Sequence, residues 1–161
     1  MNSSMPLGRM LAVFLAVLVG GNAILAAVTY AFPDLPVPNS IGMIFMMVSA
    51  MSAGQSVAGR LGRLLTAREK LVFAICATVL CVLLAVVVFW AILAYVGLPM
   101  SLQNVIAVAT GEMVPLDEIK SFLPWILLFG IVLNLLVAYF FVGFGVKNQL
   151  KALERKAAKG S

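Results

Sequence analysis

The chain has 161 residues, of which 63% are hydrophobic and 11% are charged, and its formal net charge is +5. Soluble domains are about 45–50% apolar and about 25% charged, and a chain of this length has too little interior to bury so much apolar surface. The composition therefore excludes an ordinary water-soluble domain and indicates an integral membrane protein.

The first apolar run covers residues 10–32 and stops at Pro33. A hydrocarbon core of about 30 Å needs about 20 helical residues, so this run predicts a membrane-spanning helix. It is longer than the apolar part of a cleaved signal peptide, which is about 7–15 residues, and we expect it to be retained. The three prolines of residues 33–40 predict a turn, because proline cannot continue a helix.

The second run, residues 41–58, predicts a helix that a glycine and arginine stop ends at residues 59–63. Small residues recur along it at three- and four-residue spacing: Ser49, Ser52, Ala53 and Ser56. Such spacing forms a narrow seam where a second helix backbone can approach closely. We expect that neighbour to belong to the same chain.

The third run predicts a span over residues 71–96, closed by Gly97-Leu98-Pro99. Before it, Thr66 and Glu69 have the spacing of a capping box, in which each side chain binds a free backbone amide of the first helical turn. The segment 99–121 is the longest loop, and residues 101–109 predict a short helix within it. The fourth span covers residues 122–146, and we expect its helix to continue through residues 147–159.

The basic residues are distributed unequally between the two ends of these spans. Ten lie at one end: Arg9, Arg60, Arg63, Arg68, Lys70, Lys147, Lys151, Arg155, Lys156 and Lys159. Only Lys120 lies at the other end. Because Lys and Arg are retained in the cytoplasm, both termini are expected inside and the loops 33–40 and 99–121 outside.

The predicted fold is thus all-α: one membrane domain over residues 1–161, an integral four-helix bundle with both termini cytoplasmic. A short helical loop is expected on the periplasmic side, and a helical extension of the last span in the cytoplasm. The basic loop and tail are expected to face anionic lipid headgroups, which accounts for the positive charge without nucleic acid.

The apolar runs contain no charged residue, and the chain has no histidine. Charges within a span usually mark ion-coupled transport, and histidine is the commonest general base, so we expect neither an enzyme nor a cofactor or metal site. The same absence separates the chain from multidrug exporters that need an embedded carboxylate. Cys76 and Cys81 lie within a span rather than in an exposed loop, unlike the reactive pair of thiol-oxidising proteins. Four methionines of the second span, whose thioethers suit Cu(I), are better explained by packing.

Two sets of residues are candidates for binding. The carboxylates of the predicted outer face are candidates for a protein partner: Asp34, Glu112, Asp117 and Glu118. The neutral amides within the spans, Asn22, Gln55 and Asn134, are candidates for a ligand-binding patch. The competing interpretation of the amides is hydrogen bonding between helices, at about 0.6 kcal/mol per contact.

The order Ala53-Gly54-Gln55, Gly62-Arg63 and Thr66-Ala67-Arg68-Glu69 resembles a pattern in a functionally uncharacterised family of small four-helix bacterial inner-membrane proteins. The resemblance implies a multi-pass protein of the bacterial inner membrane. It carries over no active-site residue.

Two functions remain open from the sequence. The first is a non-enzymatic interaction protein, such as an immunity protein or an accessory subunit, that binds a protein on its periplasmic face. The alternative is a small oligomeric transporter or lipid-binding protein that uses the neutral patch of Asn22, Gln55 and Asn134.

Overall fold

The computed structural model describes residues 5–34, 40–110 and 120–160. Within these ranges the chain forms five α-helices and no strand: α1 (Leu7–Ala31), α2 (Ile41–Leu61), α3 (Ala67–Val96), α4 (Leu102–Thr110) and α5 (Leu123–Gly160). All of them except α4 are long and apolar enough to cross a membrane. The prediction of an all-α chain with four candidate spans is confirmed.

The helix boundaries differ from the predicted ones in one instructive place. Helix α2 continues past Gly59 to Leu61, because the residue that stops it is Gly62. Gly62 has a φ of 60°, the left-handed conformation that glycine adopts without strain, and its amide donates to the Ala58 carbonyl. The continuous helix predicted through residues 147–159 is confirmed, and the short helix predicted at 101–109 is present as α4. The loop residues 35–39 and 111–119 lie outside the described ranges.

The described chain divides into two compact units, which are characterised separately. The first comprises Met1–Ala77 with Asn134–Ser161, and therefore holds α1, α2, the start of α3 and the second part of α5. The second comprises Thr78–Leu133. The prediction of one membrane domain stays a prediction.

The core of the first unit is a tightly packed cluster of side chains from all four of its helical segments. Phe14 of α1 and Phe73 of α3 are both fully buried, and their rings meet edge to face with centroids 5.8 Å apart. Such pairs contribute about 0.5–1.5 kcal/mol beyond the area they bury. Met5 and Leu7 at the start of α1 line the same cleft as Arg68 and Glu69 at the start of α3, so α1 and α3 begin at the same level.

Helices α2 and α5 approach each other at the level of their backbones. A methyl group placed on Gly54 would overlap the carbonyl oxygen of Val142 and lie 3.0 Å from the amide nitrogen of Val146. A methyl group on Gly145 would likewise overlap the Met51 carbonyl, with 2.9 Å to its carbon. Only residues without a side chain fit on both sides of this contact, which is the close approach expected between membrane helices.

The contact with α5 lies on a different side of α2 from the predicted small-residue seam, because Met51 and Gly54 do not share a face with Ser49 and Ala53. That a helix of the same chain approaches the seam itself stays a prediction. Ser49 and Ala53 are fully buried, as predicted, whereas Ser52 and Ser56 are only half-buried. Further along, a methyl group on Gly59 would lie 3.8 Å from the Leu153 side chain. Gly54 meets Val142 and Val146, and Gly59 lies near Leu153 further along both helices, so α2 and α5 run parallel.

The second unit contains long stretches of apolar helix with little cover. Many large side chains of α3 and α5 here are more than half exposed, including Trp90, Tyr95, Trp125 and Phe129. Its turn is well defined, because Gly97 (φ 75°) ends α3 and the Leu98 amide donates to the Leu93 carbonyl at 2.9 Å. The Ser101 hydroxyl accepts from the Asn104 amide at 3.2 Å and caps α4. Apolar exposure of this extent is compatible with lipid as the solvent.

The contact between α2 and α5 predicts an asymmetric response of glycines to alanine. We expect Gly54→Ala and Gly145→Ala each to lower the free energy of unfolding by about 1–3 kcal/mol, because the added methyl forces two backbones apart. Gly130→Ala on α5 is the matched control, since a methyl group there meets nothing within 4 Å. It should be neutral or stabilising by up to about 1 kcal/mol, because alanine favours the helix. Unfolding by sodium dodecyl sulfate in mixed micelles measures all three, and equal effects would contradict this packing.

Candidate functional site

The packing of the first unit gathers basic side chains at one of its ends. Helices α1 and α3 begin at this end and α2 ends there. Val146 of α5 packs on Gly54 in the second half of α2, so Lys147, the next residue of α5, lies toward the same end. We call the following set the basic end: Arg9, Arg60, Arg63, Arg68, Lys70 and Lys147. The tail that continues α5 adds Lys151, Arg155, Lys156 and Lys159, all exposed.

The loop between α2 and α3 is held by an ion pair at the basic end. The two terminal nitrogens of Arg63 donate to the two carboxylate oxygens of Glu69 at 2.8 and 2.7 Å. Arg63 also donates to the Leu64 carbonyl at 3.1 Å. The flanking side chains of Leu61 and Leu65 are buried, so the loop is anchored by apolar contacts as well as by charge.

The capping box predicted at the start of α3 is confirmed. The Thr66 amide donates to Glu69 Oε2 at 2.8 Å, and the Glu69 amide donates to Thr66 Oγ1 at 3.2 Å. Glu69 thus accepts hydrogen bonds from Arg63 and from Thr66 at the same time. Hydrogen bonding to Arg63, followed by that to Thr66, lowers the pKa of Glu69 from 4.5 to about 2 despite some desolvation. The same hydrogen bond raises the pKa of Arg63.

Lys70 joins the start of α3 to α5. Its ammonium lies 5.6 Å from the centre of the Tyr139 ring, within the range of a cation–π interaction. Its Cε and Nζ atoms would be 2.9 and 3.0 Å from a methyl group on Gly143. Gly143 therefore leaves the groove in which the half-buried lysine stem lies along the α5 backbone.

A cleft of about 250 Å³ opens at the basic end between the start of α1 and the first turns of α3. It is lined by Met5, Leu7, Arg68, Glu69 and Val72. Arg68 is exposed and forms no ion pair or hydrogen bond with another described residue, whereas Glu69 is fully engaged by Arg63 and Thr66. The cleft therefore combines apolar walls with one cation whose charge no described residue neutralises.

The amides predicted as a ligand-binding patch occupy different surroundings. Asn22 donates to the Leu18 carbonyl of its own helix at 2.7 Å, Gln55 is exposed, and Asn134 is half-buried. Asn22 follows Gly21, which packs against the ring of Phe45 on α2. Gln55 lies ten residues beyond Phe45, a rise of about 15 Å along the helix. Asn22 and Gln55 therefore lie at different heights along α2. A shared patch that includes Asn134 stays a prediction.

The other polar residues of the spans are mostly bonded within their own helices. The hydroxyls of Thr29, Ser49 and Ser56 donate to the carbonyls of Leu25, Phe45 and Ala53 at 2.9, 2.6 and 2.7 Å. Such bonds satisfy a hydroxyl in an apolar surrounding without a ligand.

Of the four carboxylates predicted to bind a partner, Asp34 is the one that the structure describes, and it is exposed just beyond the end of α1. Glu112, Asp117 and Glu118 lie outside the described residues, so their role stays a prediction. The sequence interpretation missed the Arg63–Glu69 pair and the cleft at Arg68. The sequence did carry a signal for the ion pair, because Arg63 and Glu69 are opposite charges six residues apart on the two sides of a helix start. It carried no signal for the cleft, because one wall of the cleft comes from the start of α1, far away in the chain.

No family model matches the chain, and neither a curated protein nor a solved structure is similar to it. The resemblance to small four-helix bacterial membrane proteins therefore stays a prediction. The structure itself defines the class: four long apolar helices indicate a multi-pass membrane protein.

The shared role of Glu69 predicts a pH-dependent stability. Because its pKa is lowered in the folded protein, the Arg63–Glu69 pair stabilises fully above about pH 4.5 and loses its contribution as the pH falls toward about 2. Arg63 is 43% exposed, so solvent screens the pair and its contribution to stability is expected to be small. Glu69→Gln removes the charge but retains an amide that can complete the capping box.

Unfolding in mixed micelles at several pH values tests this expectation. The difference between the wild type and Glu69→Gln should vanish toward about pH 2, and a difference that stays constant with pH would contradict it. Ser101→Ala is the matched control, because it removes the cap of α4, at a cost of about 1 kcal/mol, and this cap involves no titratable group.

Proposed function

We propose that the chain is a non-enzymatic multi-pass protein of the bacterial inner membrane, which acts by binding another protein on its periplasmic face. Both termini and the α2–α3 loop lie in the cytoplasm in this proposal. An immunity-type protein or an accessory subunit of a membrane complex is the role that fits it.

One observation carries the orientation: packing of the first unit brings six basic side chains to one end. The contacts Phe14–Phe73 and Gly54–Val142 define that end independently of the charge pattern. Positive residues near helix ends are retained on the cytoplasmic side, so the charge pattern and the packing support the same orientation. The cytoplasmic face then carries the basic end and the tail, and Asp34 follows the opposite end of α1.

The use of polar residues within the spans supports an interaction role. Asn22, Ser49 and Ser56 each donate to a carbonyl of their own helix, which accounts for these groups as structural. The transporter or ligand-binding alternative depends on a patch of converging amides, and Asn22 and Gln55 are mounted at different levels. Among the residues that the structure describes, no contact favours that alternative, so the interaction function is the one proposed.

The proposal predicts that the outer carboxylates hold the partner. We expect the combined variant Glu112→Gln, Asp117→Asn and Glu118→Gln to lose a stoichiometric protein partner, because the cationic surface that it binds is no longer attracted. Native mass spectrometry of the chain, extracted gently from its host in wild-type and variant form, counts bound partners directly.

Glu154→Gln is the matched control, since Glu154 is a carboxylate of the α5 tail on the proposed cytoplasmic side. It should keep the partner. A homo-oligomer without a protein partner, or a partner kept by the combined variant, would contradict the proposal.

A further inference from the structure

We propose that the cleft at the start of α1 and α3 binds one anionic phospholipid, with the lipid phosphate on Arg68 and an acyl chain along Leu7 and Val72. This inference rests on the proposed membrane orientation, which places the cleft in the cytoplasmic leaflet. It goes beyond a general attraction of basic residues to the membrane, because it assigns a defined site to a single lipid molecule.

The charges of the cleft select an anion. Although Glu69 lines the cleft, Arg63 binds both of its carboxylate oxygens and the Thr66 amide binds one of them. Its negative charge is therefore neutralised locally and its acceptor atoms are occupied. Arg68 has no such partner among the described residues, and its exposed guanidinium lines the cleft, where it can bind a phosphate. A phosphate fits best, because a guanidinium can hold two of its oxygens at once.

The apolar lining selects a lipid over a free anion. The other described residues that line the cleft, Met5, Leu7 and Val72, are all apolar. The cleft volume of about 250 Å³ corresponds to about eight water molecules, far more than one phosphate group needs. Part of an acyl chain in this space removes the apolar walls from water, which is favourable, whereas a hydrated anion leaves these walls in contact with water.

The order of these residues along α3 matches the order of groups in a phospholipid. Arg68 is the second residue of α3, and Val72 lies one turn further along, inside the apolar run of the predicted span. Residues four apart lie on one face of a helix, so the cation stands above the apolar wall on the same side. A phosphate at the membrane interface with its chain below has the same vertical arrangement.

The test is a titration of the full chain in neutral detergent, followed by native mass spectrometry. The probes are dioleoyl phosphatidylglycerol as the anionic lipid and dioleoyl phosphatidylcholine as the reference of zero net charge. We expect one phosphatidylglycerol to bind in preference to phosphatidylcholine. Arg68→Gln should weaken that binding about tenfold, which is the expected loss for one charge-assisted contact. Arg68→Lys should keep part of the preference through its charge.

The control variant is Arg60→Gln, which removes the same charge from the same end but does not line the cleft. It should leave the single bound lipid in place. Equal weakening by Arg68→Gln and Arg60→Gln would overturn the site in favour of diffuse attraction. Full displacement of the lipid by inorganic phosphate would overturn the lipid assignment in favour of a free-anion site.

A second variant tests the apolar wall. Val72→Asn should weaken binding of the lipid while leaving the Arg63–Glu69 pair and the cap in place, and unchanged lipid binding would contradict the acyl-chain part of the proposal. The titration is made in detergent and contains no partner protein. Its failure would therefore remove the lipid site alone, whereas a protein partner that the combined variant of Glu112, Asp117 and Glu118 retains would remove the proposed function.

Discussion

The contact between the backbones of α2 and α5 is the constraint on which the first unit depends. In lipid, apolar side chains gain little by leaving one apolar surrounding for another, so close van der Waals packing must hold membrane helices together. Gly54 and Gly145 permit that packing because neither adds a side chain between the two backbones. The parallel course of α2 and α5, and the position of Val142 and Val146 in the core, follow from this approach.

This packing also determines where charge accumulates. Once α2 and α5 are parallel and α1 begins beside α3, the ends that carry Arg9, Arg60, Arg68 and Lys147 lie together. In the loop that joins α2 to α3, Arg63 pairs with Glu69 of the first turn of α3. Arg68 in the same turn of α3 is not part of this pair, and we propose that it binds a lipid phosphate. The same short segment therefore caps a helix, fixes a loop and exposes a binding charge, which is why the proposed lipid site lies beside it.

The sequence predicted those features that depend on neighbouring residues. The spans follow from long apolar runs, and the cap follows from Thr66 and Glu69, which lie three residues apart. The contact of Gly54 with Val142 joins residues far apart in the chain, and no local pattern specifies which small residue meets which helix. The seam predicted on α2 did not include Gly54, because its small residues follow a three- and four-residue spacing along a different side of the helix.

Candidate sites were harder to predict for the same physical reason. A residue type indicates what a side chain can bind, whereas convergence depends on helix register and direction. Asn22 and Gln55 have suitable chemistry, yet the Gly21–Phe45 contact places Asn22 about 15 Å along α2 from the level of Gln55. Arg68 was counted only as part of a basic loop, since the apolar wall beside it includes Met5 and Leu7 of a different segment.

The central claim is that the basic end faces the cytoplasm, and thiol accessibility tests it most directly. In a chain with Cys76→Ala and Cys81→Ala, single cysteines are introduced as Ser121→Cys before α5 and as Ala152→Cys in the exposed tail. Intact spheroplasts are then treated with a membrane-impermeant maleimide. We expect Ser121→Cys to be labelled at once and Ala152→Cys to be labelled only after the membrane is permeabilised. Labelling of Ala152→Cys in intact spheroplasts, with Ser121→Cys protected, would contradict it.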